Sequence, residues 1–272
     1  MTEWVDVRDL KSLGQCGCAG SSPVRGTLKQ KRLDLKIQSF FIYYNITKHF
    51  KFMKIIALSD LHGTLPQLEK CDVAIIAGDI VDLFCQYDQQ MSWDWWTQNF
   101  LPWAKNLDCQ KVIFIPGNHD FLNEREFTDL SQIGYNGDKI KYLAPNELYT
   151  YNNINFYGFP WIPNLKNWAF YKDDKDLYHE CQKVPKNVDI LISHCPPDVG
   201  NVATVDKKYG NKNFGSFILT KLIEDKSPKY FICGHIHSGS KIPYKYNDTT
   251  IINVSIKDED YDFVYNPYIF EI

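Results

Sequence analysis

Short apolar runs alternate with longer mixed segments along most of the 272-residue chain, from Met53 to the C-terminus. The runs are rich in Val, Ile, Phe and Tyr, which favour strands. The pattern predicts strands over residues 54–59, 73–77, 111–115, 139–143, 147–151, 154–159, 188–193, 230–233, 250–256 and 267–272. Because tens of residues separate the first three runs, we expect β-α-β units and a largely parallel first sheet.

Amphipathic segments between the runs predict helices near residues 65–70, 91–105, 123–132, 174–182 and 216–224. The runs between residues 139 and 159 lie close together, and Asn152-Asn153 has the composition of a hairpin turn. The second half of the chain is therefore expected to contain antiparallel pairs. We expect an α/β fold in which helices flank two mixed sheets on their outer faces.

The first 52 residues do not continue this alternation. A small, polar stretch at residues 14–26 is followed by a basic stretch and then by an aromatic run. We expect an N-terminal extension over residues 1–52 and one domain over residues 53–272. Met53 opens the first strand, which indicates a translation start there and an over-extended gene assignment before it. The alternative is a disordered tail with a short amphipathic anchor.

Composition and charge argue against several classes of protein. The formal net charge of −3 gives no global basic field for nucleic acid. No run approaches the roughly 20 apolar residues of a membrane span, and the N-terminus lacks the apolar core of a signal peptide. The eight cysteines show neither a disulfide framework nor zinc-ribbon spacing. We expect a reduced, cytoplasmic protein with no membrane partner and no strong nucleic-acid partner; its oligomeric state is left open.

Short polar clusters directly follow five of the predicted strands. Each cluster ends an apolar run with a side chain that can bind a metal ion. The clusters contain Asp60 and His62, then Asp79, then Asn118, His119 and Asp120, then His194, and finally His235 and His237. One such cluster is typical of a turn, but five in order predict a site at one edge of a sheet. An apolar strand gains nothing by ending in a buried polar group without a partner, because such burial is costly.

The residue types in these clusters suit divalent metal ions, which bind carboxylate oxygen and imidazole nitrogen. If the first strand continues through Asp60 and His62, both side chains point to the same side of it and can bind one ion. Asp79 can bridge two ions with its two carboxylate oxygens. We expect two divalent ions; manganese is the expected metal, and iron and zinc are the alternatives.

As a set, the motifs D-x-H, G-D, G-N-H-D, a single His and G-H-x-H resemble the calcineurin-like metallophosphoesterase family, from Met53 nearly to the C-terminus. The resemblance implies a four-layer α/β/β/α sandwich with two metal ions at the strand ends. It implies a first ion bound by Asp60, His62, Asp79 and His237, and a second bound by Asp79, Asn118, His194 and His235. It also implies two catalytic residues: His119, which lies beside the phosphate, and Asp120, which orients it.

Further segments resemble the metallophosphoesterase-domain-containing subgroup of cytosolic phosphodiesterases. They begin at Tyr157 (Tyr-Gly-Phe-Pro-Trp-Ile-Pro), Asn167 (Asn-Trp-Ala-Phe), His194 (His-Cys-Pro-Pro) and Asn253 (Asn-Val-Ser). The resemblance implies hydrolysis of a small phosphodiester or phosphomonoester, with a nucleotide as one candidate, by in-line attack of a metal-bridging hydroxide.

Three alternative functions remain open. A Ser/Thr protein phosphatase is disfavoured because its G-D motif continues as V-D-R-G, whereas this chain continues Ile80-Val-Asp-Leu-Phe. A nuclease lacks an evident basic face here, and a non-catalytic protein-binding scaffold typically loses ligands that this chain keeps. The aromatic residues Phe159, Trp161, Trp168 and Phe170 could stack on a nucleobase, but packing of the segment against the sheet is the favoured interpretation. Packing is also expected for Trp93, Trp95, Trp96 and Trp103.

Overall fold

A five-stranded mixed sheet is formed by strands from the first half of the chain and the C-terminal strand. In chain order its strands are β1 (Lys54–Leu58), β2 (Cys71–Ala77), β3 (Cys109–Ile115), β4 (Ile140–Tyr142) and β11 (Tyr268–Glu271). Their spatial order is β11-β1-β2-β3-β4. The first four strands run parallel, and β11 pairs antiparallel with β1 at the edge. The predicted, largely parallel first sheet is confirmed.

A six-stranded sheet is formed by the second half of the chain. Its strands are β5 (Leu148–Tyr151), β6 (Ile154–Phe159), β7 (Ile190–Ser193), β8 (Tyr230–Cys233), β9 (Tyr244–Tyr246) and β10 (Thr249–Asn253). Their order is β5-β6-β7-β8-β10-β9, with a parallel centre and an antiparallel strand at each edge. The hairpin turn at Asn152-Asn153 joins β5 to β6, as predicted, and both residues adopt positive φ angles.

Side chains of the central strands alternate between two apolar cores. In β1, Ile55 and Ala57 face a core shared by both sheets, where they meet Ile190, Ile192 and other residues of the second sheet. The alternate β1 residues, Ile56 and Leu58, face a second core that contains the helical residues Trp96 and Phe100. This alternation explains why the runs are apolar at nearly every position, since both faces of a central strand are covered.

Helices cover the outer face of each sheet. On the first sheet, α1 (Gln89–Trp95), a π-helical turn (Trp96–Phe100) and α2 (Leu101–Asn106) follow one another, and α3 (Phe121–Arg125) comes after β3. On the second sheet, α4 (Asp174–Lys183) and α5 (Phe217–Lys226) supply Leu177, Leu219 and Leu222 to a third core. The predicted α/β fold with two mixed sheets and outer helices is confirmed.

One local prediction was wrong, and one short strand was not predicted. The described residues 65–70 contain no helix. They precede β2 without regular secondary structure, and the Pro66 carbonyl accepts a hydrogen bond from Trp103 Nε1 at 2.9 Å. Six residues are too few to stabilise a helix without strong packing, so this tertiary contact outweighs the local pattern. The short edge strand β9 was not predicted, because its residues are mostly exposed and show no apolar run.

The computed structural model describes residues 52–125, 138–163 and 165–272, within a unit that runs from Phe52 to Ile272. The predicted extension over residues 1–52 lies outside the described residues, apart from Phe52. The predicted helix near residues 123–132 corresponds to α3 as far as residue 125 and then leaves the described range. None of the helices in the described ranges combines the length and the apolar character needed to cross a membrane.

Candidate metal centre

All seven predicted metal ligands follow the carboxyl ends of parallel strands. Asp60 and His62 follow β1, Asp79 follows β2, Asn118 follows β3, His194 follows β7, and His235 and His237 follow β8. These strands belong to both sheets, and their ends meet at the same edge of the sandwich. Such an edge is where open α/β sheets commonly form their sites. Six of the seven residues are at least nine-tenths buried, and His235 is partly exposed.

The backbone at this edge adopts left-handed conformations at positions other than glycine. The φ angle is +56° at Asp60, +41° at His62, +53° at Asp79 and +68° at His235. Such residues are uncommon, and each costs on the order of 1–3 kcal/mol unless the surrounding structure compensates. β1 ends at Leu58, so the condition under which Asp60 and His62 would point to one side of a continued strand is not met. The two side chains converge because the chain turns sharply there.

Glycines allow this crowding. Gly78 has a φ of +95°, and a Cβ atom there would lie 2.5 Å from Nδ1 of His194. A Cβ atom at Gly117 would lie 2.8 Å from Cε1 of His194 and would also collide with the Asp79 carboxylate. Only a residue without a side chain can bring these loops so close together.

The first group of donors contains Asp60, His62 and His237, whose ligand atoms lie within 4.8 Å of one another. The Nε2 atoms of His62 and His237 face each other at 3.2 Å, and Nε2 of His237 lies 3.5 Å from Oδ1 of Asp60. Ligand atoms about 2.1 Å from a shared ion are separated by roughly 3 Å when they are adjacent in its coordination shell. The spacing and chemistry of this group therefore fit a divalent cation.

The second group contains Asp79, His194 and His235. Nε2 of His194 lies 3.2 Å from Oδ2 of Asp79 and 3.0 Å from Oδ1 of Asn118. The carboxylate, amide and imidazole atoms thus point to one common position, and this set also fits a divalent cation.

Asp79 joins the two groups. Its Oδ2 atom lies 3.8 Å from Nε2 of His62 in the first group and 3.2 Å from Nε2 of His194 in the second. A third overlapping set, composed of His62, Asp79 and His119, spans the space between them. The structure therefore brings together all seven residues that the sequence singled out; that each of them binds metal stays a prediction.

Hydrogen bonds behind the site set the direction of two of the imidazoles. Nδ1 of His194 lies 2.9 Å from the Ala77 carbonyl, and Nδ1 of His237 lies 2.8 Å from the Asp258 carbonyl. Because a carbonyl can only accept, each Nδ1 carries the hydrogen, and each Nε2 is directed at the donor groups. This is the arrangement that metal-binding histidines commonly show.

The histidines of the site differ in pKa, because burial lowers the pKa of an imidazole and a nearby carboxylate raises it. Burial lowers the pKa of His62 to about 3, and burial together with the charge of His194 lowers the pKa of His235 to about 3. Burial also disfavours the charged form of His194, but the charge of Asp79 outweighs it and raises the pKa of His194 to about 9. His62 and His235 are therefore neutral near pH 7, which is the form that coordinates a metal ion.

His119 and Asp120, the two predicted catalytic residues, do not pair with each other through their side chains in the way that was expected. The Asp120 carboxylate accepts backbone N–H bonds from Ile80, Val81 and Gly117 at 2.8–3.2 Å, so it ties together the loops that follow β2 and β3. The prediction that Asp120 orients the His119 side chain is corrected, because Nδ1 of His119 pairs with Oε1 of Gln86. Burial and the Asp79 charge raise the pKa of Asp120 to about 7.

Three residues near the site were not identified as site residues from the sequence: Gln86, Tyr261 and Trp168. The Tyr261 ring lies 4.9 Å from the rings of both His62 and His237, and the Trp168 ring lies 4.4 Å from that of His119. Tyr261 follows no apolar run, and the three apolar residues before Gln86 are not part of a predicted strand, so no strand-end signal marks either residue. The predicted packing of Trp168 is confirmed, because it packs partly buried against the core of the second sheet while its ring also lies beside His119.

The other aromatic predictions agree with the structure. Phe159 and Phe170 are fully buried, and Trp161 packs partly buried against the core of the second sheet. Trp96 is fully buried, and Trp93, Trp95 and Trp103 pack partly buried against the core of the first sheet. Packing is confirmed for this set.

The chain is similar to known proteins in sequence and in fold. The human metallophosphoesterase domain-containing protein 1 is 27% identical over 244 residues, covering 81% of this chain and 71% of that protein. A UPF0046 protein of Caenorhabditis elegans is 25% identical over 238 residues, covering 81% of each chain. The crystal structure of TT1561 from Thermus thermophilus shares the fold, with a TM-score of 0.53 and 12% identity over 75% of this chain and 89% of that one.

These relatives confirm the resemblance to the metallophosphoesterase-domain-containing subgroup. Residues 53–239 match the calcineurin-like phosphoesterase family, and they span every strand-end cluster described above. Since this match covers more than half of the sequence, the chain belongs to the calcineurin-like phosphoesterase family.

Proposed function

We propose that the protein is a dinuclear-metal phosphoesterase that hydrolyses a small phosphodiester or phosphomonoester. Membership of the family supports a metal-dependent phosphoric ester hydrolase. The observation that carries the dinuclear proposal is the position of Asp79, whose Oδ2 atom faces both donor groups at 3.2–3.8 Å. Manganese is the proposed ion, with iron and zinc as alternatives, because all three suit carboxylate, amide and imidazole donors.

When bound, two divalent ions would supply a nucleophilic water at neutral pH and would neutralise charge on the phosphoryl oxygens. Residues of the chain would hold the ions and transfer a proton to the leaving group. Asp79 is held in place by a 2.8 Å hydrogen bond from the backbone N–H of His119 to its Oδ1 atom. Nε2 of His119 lies 3.8 Å from Oδ2 of Asp79, so the imidazole can reach a leaving oxygen beside the donor groups and deliver a proton to it.

The surroundings of the donor groups support a substrate with a planar organic group. Tyr261 is 39% exposed and Trp168 is half-buried. The Trp168 ring lies 4.4 Å from the His119 ring, and the Tyr261 ring lies 6.4 Å from it. A third aromatic ring, that of Tyr87, lies 6.1 Å from the ring of Trp168. Rings in such positions stack on planar groups, so we include nucleotides among the proposed substrates.

Replacement of Tyr261 tests this part of the proposal. Tyr261→Leu should lower kcat/KM for phenyl phosphate roughly tenfold, on the scale of one aromatic contact, and leave kcat/KM for ethyl phosphate within twofold. The matched control is Tyr244→Leu, at an exposed position on β9. An equal loss on both substrates would remove the argument for a planar group.

Hydrolysis by the manganese-reconstituted full chain tests the function itself. We expect turnover of p-nitrophenyl phosphate, bis-p-nitrophenyl phosphate or both, and loss of that turnover in Asp79→Asn. Asp94→Asn, an exposed helix position, is the control and should retain wild-type turnover. Turnover of neither substrate would favour the non-catalytic scaffold, and turnover of a phosphoprotein alone would favour a protein phosphatase.

The proposal also includes the cellular compartment of the protein. The six cysteines in the described ranges are all free, which suits a reducing compartment. We propose a cytoplasmic enzyme that acts on small phosphoesters.

A further inference from the structure

The His119 imidazole is held from behind by a residue of a different loop. Oε1 of Gln86 lies within hydrogen-bonding distance of Nδ1 of His119. Gln86 is only 8% exposed although it belongs to the segment between β2 and α1, where its neighbours Phe84 and Tyr87 are 86% and 65% exposed. The segment therefore directs one polar side chain inward and leaves its aromatic side chains outside.

The backbone on either side of Gln86 is anchored. The Cys85 side chain is buried in the core of the first sheet, and the Cys85 carbonyl accepts hydrogen bonds from Ser92 Oγ at 2.7 Å and from the backbone of Asp88 at 3.0 Å. Asp88 in turn caps α1 by accepting the Met91 N–H. Gln86 thus approaches His119 from a fixed position, and the contact is built into the fold of this segment.

The other side of the imidazole faces the donor groups. Nε2 of His119 lies 3.8 Å from Oδ2 of Asp79, and the ring stands edge-on to His62 with centroids 4.6 Å apart. An amide oxygen can only accept, so the Gln86 contact requires the hydrogen on Nδ1. Nε2 is then the nitrogen left to exchange a proton at the site.

We propose that Gln86 is a positioning residue, which fixes the orientation and tautomer of His119 so that Nε2 faces the substrate. This inference rests on the proposed hydrolase function. A carboxamide does this without adding a negative charge behind the imidazole. Asp120, the acidic neighbour in the sequence, cannot take the role because its carboxylate is bound by three backbone N–H groups.

A spectroscopic experiment tests the contact independently of turnover. In the zinc-loaded full chain, long-range ¹H–¹⁵N spectra of the imidazole should assign the hydrogen of His119 to Nδ1. Gln86→Leu should remove that preference, whereas Gln90→Leu, the same substitution at an exposed position of α1, should keep it. An unchanged His119 tautomer in Gln86→Leu would overturn the proposal, whatever the protein hydrolyses.

Kinetics test the consequence. On the ester that the wild type hydrolyses, Gln86→Leu should lower kcat by roughly 10–100-fold with KM within about twofold, because small misplacements of catalytic groups cost up to about 10²-fold. Gln86→Glu, which keeps an acceptor of the same length, should restore most of that loss. In the His119→Ala background, Gln86→Leu should have almost no further effect. An equal loss in both backgrounds would identify a general structural role and overturn the proposal.

Discussion

Gly78→Ala perturbs the candidate metal centre without removing any of its ligands. Gly78 has a φ of +95°, and a Cβ atom there would lie 2.5 Å from Nδ1 of His194 and 2.9 Å from the backbone of Gly117. The left-handed backbone costs about 1 kcal/mol for alanine, and forced overpacking adds about 2 kcal/mol. We therefore expect Gly78→Ala to lower the free energy of unfolding by about 3 kcal/mol.

Gly210→Ala separates these two contributions. Gly210 has nearly the same φ, +93°, but the nearest atom to its Cβ would be Cε of Lys212 at 3.9 Å. This control carries the backbone cost alone, about 1 kcal/mol. For a domain of this size 1 kcal/mol corresponds to roughly 2–4 °C in Tm, so the control should lose roughly 2–4 °C and Gly78→Ala roughly 6–12 °C.

Thermal unfolding followed by circular dichroism measures both variants, and metal analysis of the folded protein completes the assay. Because the clash displaces His194, we expect Gly78→Ala to bind manganese more weakly, whereas Gly210→Ala should bind it as the wild type does. Equal Tm losses with wild-type metal content in both variants would contradict the predicted clash at Gly78, since the loop would then have room for a side chain.

Two further predictions concern protons. His119→Ala should keep its metal content but lose roughly 10²–10⁴-fold in kcat, the usual span for general acid catalysis; wild-type turnover would contradict this role. The charge of Asp79 raises the pKa of the buried His194 to about 9, so without metal His194 is protonated at pH 7 and must release that proton when it coordinates. Metal affinity should therefore rise with pH up to about 9, and calorimetry in two buffers of different ionisation enthalpy should detect release of at least one proton; no release would contradict the assignment.

Much of the fold could be predicted because the central strands are buried on both faces. Their residues are apolar at nearly every position, so runs such as the one that forms β2 stand out in the sequence. The helix predicted at residues 65–70 does not form, because a long-range contact determines the structure of this segment. Its local pattern competes with a specific tertiary contact between Pro66 and Trp103 that no local window contains.

The convergence of the candidate ligands was also predictable, since the carboxyl ends of parallel strands meet at one edge. The backbone conformation that brings the ligands together could not be predicted. Asp60 and His62 adopt left-handed backbone rather than extended strand, and such conformations depend on close packing of several loops. The partner of His119 could not be predicted either, because Gln86 and His119 are 33 residues apart and meet only in the folded chain.

Two buried donor groups share Asp79, and we propose that together they bind a pair of divalent ions. The most direct measurement is the metal content of the full chain after reconstitution with manganese and removal of excess ion, by elemental analysis of wild type and Asp79→Ala. We expect about two ions per chain in the wild type and loss of both in Asp79→Ala, with folding checked by circular dichroism. A wild-type chain that binds no ion, or an Asp79→Ala variant that retains two, would contradict a dinuclear site that is bridged by Asp79.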